Sequence, residues 1–99
     1  MKTRIVVIDG QGGGLGRQLV AALAASCPNA ELVAVGTNSL ATSAMLKAGA
    51  ARGATGENAV IVNSRSADII VGPLGIVIAD SLLGEITPAM AAAVGQSSA

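Results

Sequence analysis

An α/β fold, with a parallel sheet between two layers of helices, is predicted by three features of the sequence. A run rich in β-branched residues, Arg4 to Ile8, leads straight into a cluster of glycines between Gly10 and Gly16. Past the glycines, apolar residues recur at helical spacing. A second β-branched run, Leu32 to Val35, then follows. Strands and helices that alternate through short connections build a parallel sheet with right-handed crossovers. The expected architecture is a three-layer, Rossmann-like parallel sheet with helices on both faces.

Each element has its own signal. Arg4 to Ile8 reads as a buried strand entering a tight turn. In the helix after it, Leu15, Leu19, Ala22 and Leu23 share one face, and Pro28 with Asn29 stops the pattern. The second strand ends at Gly36. Thr37, Asn38 and Ser39 offer caps for a helix from Leu40 to Ala48, where Lys47 suits the helix dipole and Gly49 or Gly53 ends the run. Arg52 to Asn58 reads as loop. Ala59 to Asn63 suits strand or helix, and its Val60-Ile61-Val62 favours strand. Ile69 to Val71 is a short strand, after which Gly72 and Pro73 open a helix to Leu83, proline being well placed in a first turn. Ile76, Val77, Ile78, Ala79, Leu82 and Leu83 make that helix apolar almost all round. Such a helix needs cover on more than one side, so a homo-oligomer, a dimer, is expected. Thr87 as cap and Pro88 in the first turn begin a last helix, ended by Gly95.

The 99 residues suffice for one domain, taken as residues 1–99. The composition is 52% hydrophobic with no Phe, Tyr or Trp, so Ala, Val, Ile, Leu and Met must build the core. Burial of a Val or Leu contributes about 1.5–3 kcal/mol, against a backbone ordering cost of about 1–2 kcal/mol per residue. Support from a partner subunit would fit this balance. Six Lys and Arg offset six Asp and Glu, and no ring is present on which a base could stack, which argues against a nucleic-acid partner. The apolar run after Met1 to Arg4 is too short for a signal peptide. Ile69 to Ala79, broken by Gly72 and Pro73, falls short of the roughly 20 residues that span a bilayer. A cytoplasmic protein with no membrane partner is expected. One cysteine and no histidine fit neither a zinc site nor a disulfide framework. Cys27, at the end of the first helix, reads as a small apolar filler.

Asp9-Gly10-Gln11-Gly12-Gly13-Gly14-Leu15-Gly16 lies between a strand and a helix, the context of a phosphate-binding loop. Unpaired N–H groups and the positive end of the dipole face an anion there, and glycine permits close approach. The dinucleotide spacing of glycine at positions one, three and six fails, because the sixth place from Gly10 is Leu15. Gly10, Gly14 and Gly16 match the spacing of short-chain dehydrogenases, and Gly10, Gly13 and Gly16 match a three-residue repeat of glycine. A Walker A loop is ruled out, since Arg17-Gln18 stands in place of Lys-Ser or Lys-Thr. The bland reading is that the glycines only let helix and sheet pack, which accounts for one or two of them and not for five.

The end of the second strand, where dinucleotide folds carry an acid for the ribose, reads Gly36-Thr37-Asn38. Without that acid, Thr37, Asn38 and Ser39 would accept a 2′-phosphate and favour NADP over NAD, or else these residues only cap the helix. Gly72 and Gly75 should reach the same edge of the sheet as a second wall of the pocket. Thr55-Gly56-Glu57-Asn58, after the second helix, is placed at the opposite edge, as structure or interface. Asp80 and Glu85 could act as acid-base groups, but isolated carboxylates are more often solvated or paired, and that is the reading taken. The candidate cofactor site thus comprises Gly10, Gln11, Gly12, Gly13, Gly14, Leu15, Gly16, Thr37, Asn38, Ser39, Gly72 and Gly75, with no catalytic residue assigned and no metal.

The segments Ile8-Asp9-Gly10-Gln11-Gly12-Gly13-Gly14, Gly36-Thr37-Asn38-Ser39, Gly53-Ala54-Thr55-Gly56-Glu57-Asn58 and Leu83-Gly84-Glu85-Ile86-Thr87-Pro88 resemble those of an uncharacterised bacterial family, domain-of-unknown-function family 3842. The likeness runs nearly end to end and implies a Rossmann-like fold. It also implies a further strand past the residues matching Gly95, so that the sheet of this chain would lack its last strand. A nucleotide-binding or dinucleotide-binding protein leads the functional readings. An NAD(P)-dependent oxidoreductase, in which the cofactor carries the chemistry, and a non-catalytic interaction subunit are the alternatives.

Overall fold

In a computed structural model, which describes residues 2–99, four parallel strands form one sheet in the order β3-β2-β1-β4. In chain order the elements are β1 (Arg4–Asp9), α1 (Gly14–Ser26), β2 (Glu31–Gly36), α2 (Ser39–Ala48), β3 (Arg52–Thr55), α3 (Glu57–Ser66), β4 (Ile69–Val71), a 3-10 turn (Leu74–Val77) and α4 (Pro88–Gln96). Register runs from Arg4 opposite Glu31 to Asp9 opposite Gly36, and Ile5 to Val7 lie opposite Ile69 to Val71. The three-layer α/β fold expected from the sequence is present.

Alternation along β1 divides the core, because successive side chains point to opposite faces. Ile5 and Val7 pack with Leu32, Ala34, Val20, Ala41 and Met45 under α1 and α2. Val6 and Ile8 pack with Val33, Val35, Val60, Ile76, Ile86 and Met90 on the face covered by α3 and α4. Strands covered on both faces read as continuous apolar runs, which is why β1 and β2 were plain in the sequence. Cys27 is half-buried against the first of these cores. The inward face of α1 is Gly16, Val20 and Leu23, rotated from the expected one, so that Leu15 and Ala22 are exposed. Among the described residues no helix is long and apolar enough to cross a membrane.

Three expectations are corrected. Arg52 to Thr55 is not loop but a strand, paired with Val33 to Gly36 at the sheet's edge, where polar residues and a glycine are tolerated. Glu57–Ser66, which includes Val60-Ile61-Val62, is helical. Its buried positions, Val60 and Ser64, stand one helical turn apart, so packing of that face overrides the weak β preference. The apolar helix from Pro73 to Leu83 does not form. After the 3-10 turn the chain takes left-handed backbone at Asp80, Leu82, Leu83 and Gly84, and the Asp80 N–H donates to the Ile86 carbonyl at 2.6 Å. The 3-10 turn and the turns after it, residues 74–86, form a strap that buries Ile76 and Ile86 while leaving Leu74 77% and Leu83 97% exposed. A chain of tight turns can send single side chains inward at irregular intervals, whereas a helix would present the apolar residues between Ile76 and Leu83 on every side.

Candidate functional site

The glycine loop is organised from within by Asp9, the last residue of β1, which is 5% exposed. Its Oδ1 accepts the Gly10 N–H at 2.8 Å and its Oδ2 the Gly16 N–H at 2.6 Å, so one carboxylate joins the end of the strand to the first turn of α1. The Gly13 N–H donates to the Gly10 carbonyl at 2.9 Å. Gly13 caps α1 in left-handed backbone with φ +73°, the conformation that glycine adopts without penalty.

The glycines fall into two groups. A Cβ on Gly16 would stand 2.7 Å from Met45 Sδ and 2.8 Å from Asp9 Cβ; on Gly13 it would stand 2.9 Å from the Ala41 backbone; on Gly10, 2.7 Å from Thr37 Oγ1. Packing alone accounts for these three. Around Gly12 and Gly14 a Cβ would meet nothing within 4 Å. The N–H groups of Gly12, Gly14 and Leu15 have no hydrogen-bond partner among the described residues, Gly14 and Leu15 being the first two positions of α1. The Leu15 side chain is about half exposed.

At the end of β2, Asn38 caps α2 by accepting the Ala41 N–H at 2.9 Å, and Ser39 begins the helix in an exposed position. Thr37 and Asn38 are not open to a ligand's phosphate, because both donate to Glu85: Thr37 Oγ1 at 2.8 Å and Asn38 Nδ2 at 2.6 Å, to Oε2. The other oxygen of Glu85 accepts the Gln11 N–H at 2.6 Å, and Asn38 Nδ2 also reaches the Gln11 carbonyl at 2.8 Å. Gln11 holds a positive φ of 52° at this junction. Partial burial pushes the Glu85 carboxyl up, but the hydrogen bonds from Asn38, Thr37 and the Gln11 amide outweigh it and hold the group below its ordinary value. The premise that no acid stands at the end of β2 is therefore corrected. The acid arrives from the strap.

Gly72 and Gly75 reach the expected edge of the sheet but face the chain itself, Gly72 against Ile76 and the Ile8 carbonyl, Gly75 against Ser81. The crevice between β1 and β4, where open sheets of this topology bind ligands, holds the strap. Thr55-Gly56-Glu57 is likewise corrected: it follows β3 and so lies on the same edge as the glycine loop. The Gly56 N–H donates to the Gly36 carbonyl at 2.9 Å, Thr55 Oγ1 lies 2.8 Å from Thr42 Oγ1, and Glu57 accepts the Thr87 hydroxyl. Every segment on which the resemblance rests thus meets at one edge. A family model described as Domain of unknown function (DUF3842) matches residues 4–99. The chain belongs to that family. No curated protein and no solved structure matches it.

The open space of this DUF3842 chain beside the loop lies outward, between α1 and α2. There Gly12, Arg17, Gln18, Ser43 and Lys47 line a groove of about 760 Å³. A second groove, of about 810 Å³, at the far end of the strands by Thr3, Cys27 and Pro28, touches none of the candidate residues. Glu85, which the sequence marks only as a solvated or paired carboxylate outside the candidate site, is paired, and its partners are the glycine loop and the end of β2. The one available signal was indirect: a glycine loop of this type followed by a second strand with no acid at its end calls for an acid from elsewhere.

Proposed function

We propose that this DUF3842 domain binds a nucleotide or dinucleotide, with a phosphate held by the N–H groups of Gly12, Gly14 and Leu15. The observation that carries the reading is that these amides are unpaired at the positive end of α1, at two glycines where packing makes no demand. An anion at such a helix end gains about 0.3–1 kcal/mol from the dipole, and up to about 2 kcal/mol when partly shielded, beyond the hydrogen bonds themselves. Arg17 and Lys47 add two cations beside the groove that continues from Gly12. The chain carries no Trp or Tyr, so a nucleobase retained through gentle purification would show as an absorbance band leaving on denaturation. The test is the thermal midpoint with ATP, ADP, NAD, NADP and coenzyme A added singly at millimolar concentration. A ligand at 100 times its Kd stabilises by about 2.7 kcal/mol. No shift with any of the five removes the reading.

The strap favours a second reading, an interaction module that assembles with its own kind. Leu74, Val77, Ile78 and Leu83 lie exposed within one short stretch. Light scattering at micromolar concentration decides this, a monomer counting against it.

A further inference from the structure

We propose that Glu85 selects the ligand of the glycine loop, admitting a nucleotide with free ribose hydroxyls and rejecting one that carries a 2′-phosphate. The proposal rests on the nucleotide reading above. In dinucleotide folds the acid that takes the ribose hydroxyls stands at the end of the second strand, across from the glycine loop. Here the Glu85 carboxylate occupies that place without belonging to the strand, with one oxygen on the Gln11 amide and the other on Thr37 and Asn38.

The hydrogen-bond inventory decides the sign. An ionised carboxylate offers about four acceptor sites and no donor. The Gln11 N–H, the Thr37 hydroxyl and the Asn38 amide fill three of them, and the remaining capacity is on Oε1. A ribose hydroxyl brings a proton for that site. A phosphate oxygen brings none, adds like charge beside the carboxylate, and finds its natural donors, Thr37 and Asn38, already spent on Glu85.

Other features make the placement part of the fold and not a chance contact of one surface side chain. Ile86, next to Glu85, is 1% exposed in the core and anchors the end of the strap. A Cβ at Gly10 would stand 3.0 Å from Glu85 Oε1, so glycine at that position leaves room for this carboxylate. Glycine at position 10 serves the acid, and glycine at positions 12 and 14 serves the phosphate.

The test is calorimetric titration of the whole chain with NAD and NADP, with ADP as the reference for the phosphate end. NAD is expected to bind at least tenfold tighter than NADP. Glu85→Gln should bring the two affinities within about threefold of each other, chiefly by strengthening NADP. Glu85→Asp, which keeps the charge, should restore a preference for NAD, a result that a merely structural role would not produce. The wild-type comparison requires no variant and stands even if Glu85→Gln fails to fold. Binding of NADP as tight as NAD overturns the role of Glu85 while leaving the nucleotide reading intact. Absence of binding by NAD, NADP and ADP alike overturns both.

Discussion

Substituting alanine at Gly13 and, separately, at Gly12 tests whether structure and ligand divide the glycines as the packing indicates. At Gly13 the new Cβ would lie 2.9 Å from Ala41 Cα and 3.0 Å from its carbonyl oxygen. Both are backbone atoms of α2, which cannot swing aside as a long side chain would. Overpacking of this kind costs about 1–3 kcal/mol. The left-handed backbone at φ +73° adds about 1–2 kcal/mol for any residue with a Cβ. Gly13→Ala should therefore lose about 2–5 kcal/mol, and a domain of this size drops about 4–8 °C in Tm for each kcal/mol. Gly12→Ala has open space and no positive φ, so its stability should stay within about 0.5 kcal/mol of wild type. Far-ultraviolet circular dichroism during thermal and urea unfolding is the assay, since no tryptophan is present to report by fluorescence. Equal stability of the two variants would refute the division.

Gly12→Val or Gly14→Val should weaken nucleotide binding at least tenfold, about 1.4 kcal/mol, in a folded protein; calorimetry showing unchanged affinity would place the ligand elsewhere. In the strap, Ile86→Ala should cost about 2–5 kcal/mol, because Ile86 is buried beneath it. Leu83→Asn should cost nothing measurable in the same unfolding assay, since asparagine tolerates the left-handed backbone that Leu83 adopts; clear destabilisation there would mean that Leu83 is covered. Glu85 and Glu31 both titrate below their ordinary value of 4.5, Glu31 through the hydrogen bond from Arg4 and the charges of Arg52 and Arg4, against a smaller opposing effect of burial. A carboxyl lowered in the folded state adds stability that is complete above its unfolded value and disappears as pH falls through the folded one. These two groups should leave Tm unchanged between pH 7 and about pH 5 and lower it below about pH 4.5, and Glu85→Gln should make that acid loss smaller.

The parts of the fold legible in the sequence are those whose local and tertiary signals agree. β1 and β2 are buried on both faces and so nearly all apolar; Asn38 caps α2, and Thr87 with Pro88 opens α4. Where burial is one-sided or slight, the signal fails. β3 is a four-residue edge strand with polar ends and a glycine inside, and nothing in Arg52-Gly53-Ala54-Thr55 reports that its backbone pairs with β2. That single omission propagates. In a parallel sheet a missed strand moves the following loop to the opposite edge, and Thr55-Gly56-Glu57 was misplaced for this reason alone. The strap is not legible because its apolar content suggests a helix, whereas Ile76 turns inward from the 3-10 turn and Leu82 and Ile86 from the irregular backbone after it.

The glycine loop could be seen in the sequence because strand, glycines and helix are contiguous. Its counter-charge could not. Glu85 lies 47 to 74 residues from the groups that donate to it, and no local pattern marks a carboxylate held over such separations. Its presence changes what the loop can do. Asp9 takes the amides of Gly10 and Gly16, and Glu85 takes that of Gln11, so two of the protein's own carboxylates satisfy the inner donors of the loop. Only the outer donors, at Gly12, Gly14 and Leu15, are left for a ligand. For the phosphate proposed above, these free donors lie on the outer side of the loop, where Gly12 also borders the groove that Arg17 and Lys47 line. On that proposal, the same two carboxylates that complete the fold of the loop also decide which of its amides remain for a phosphate.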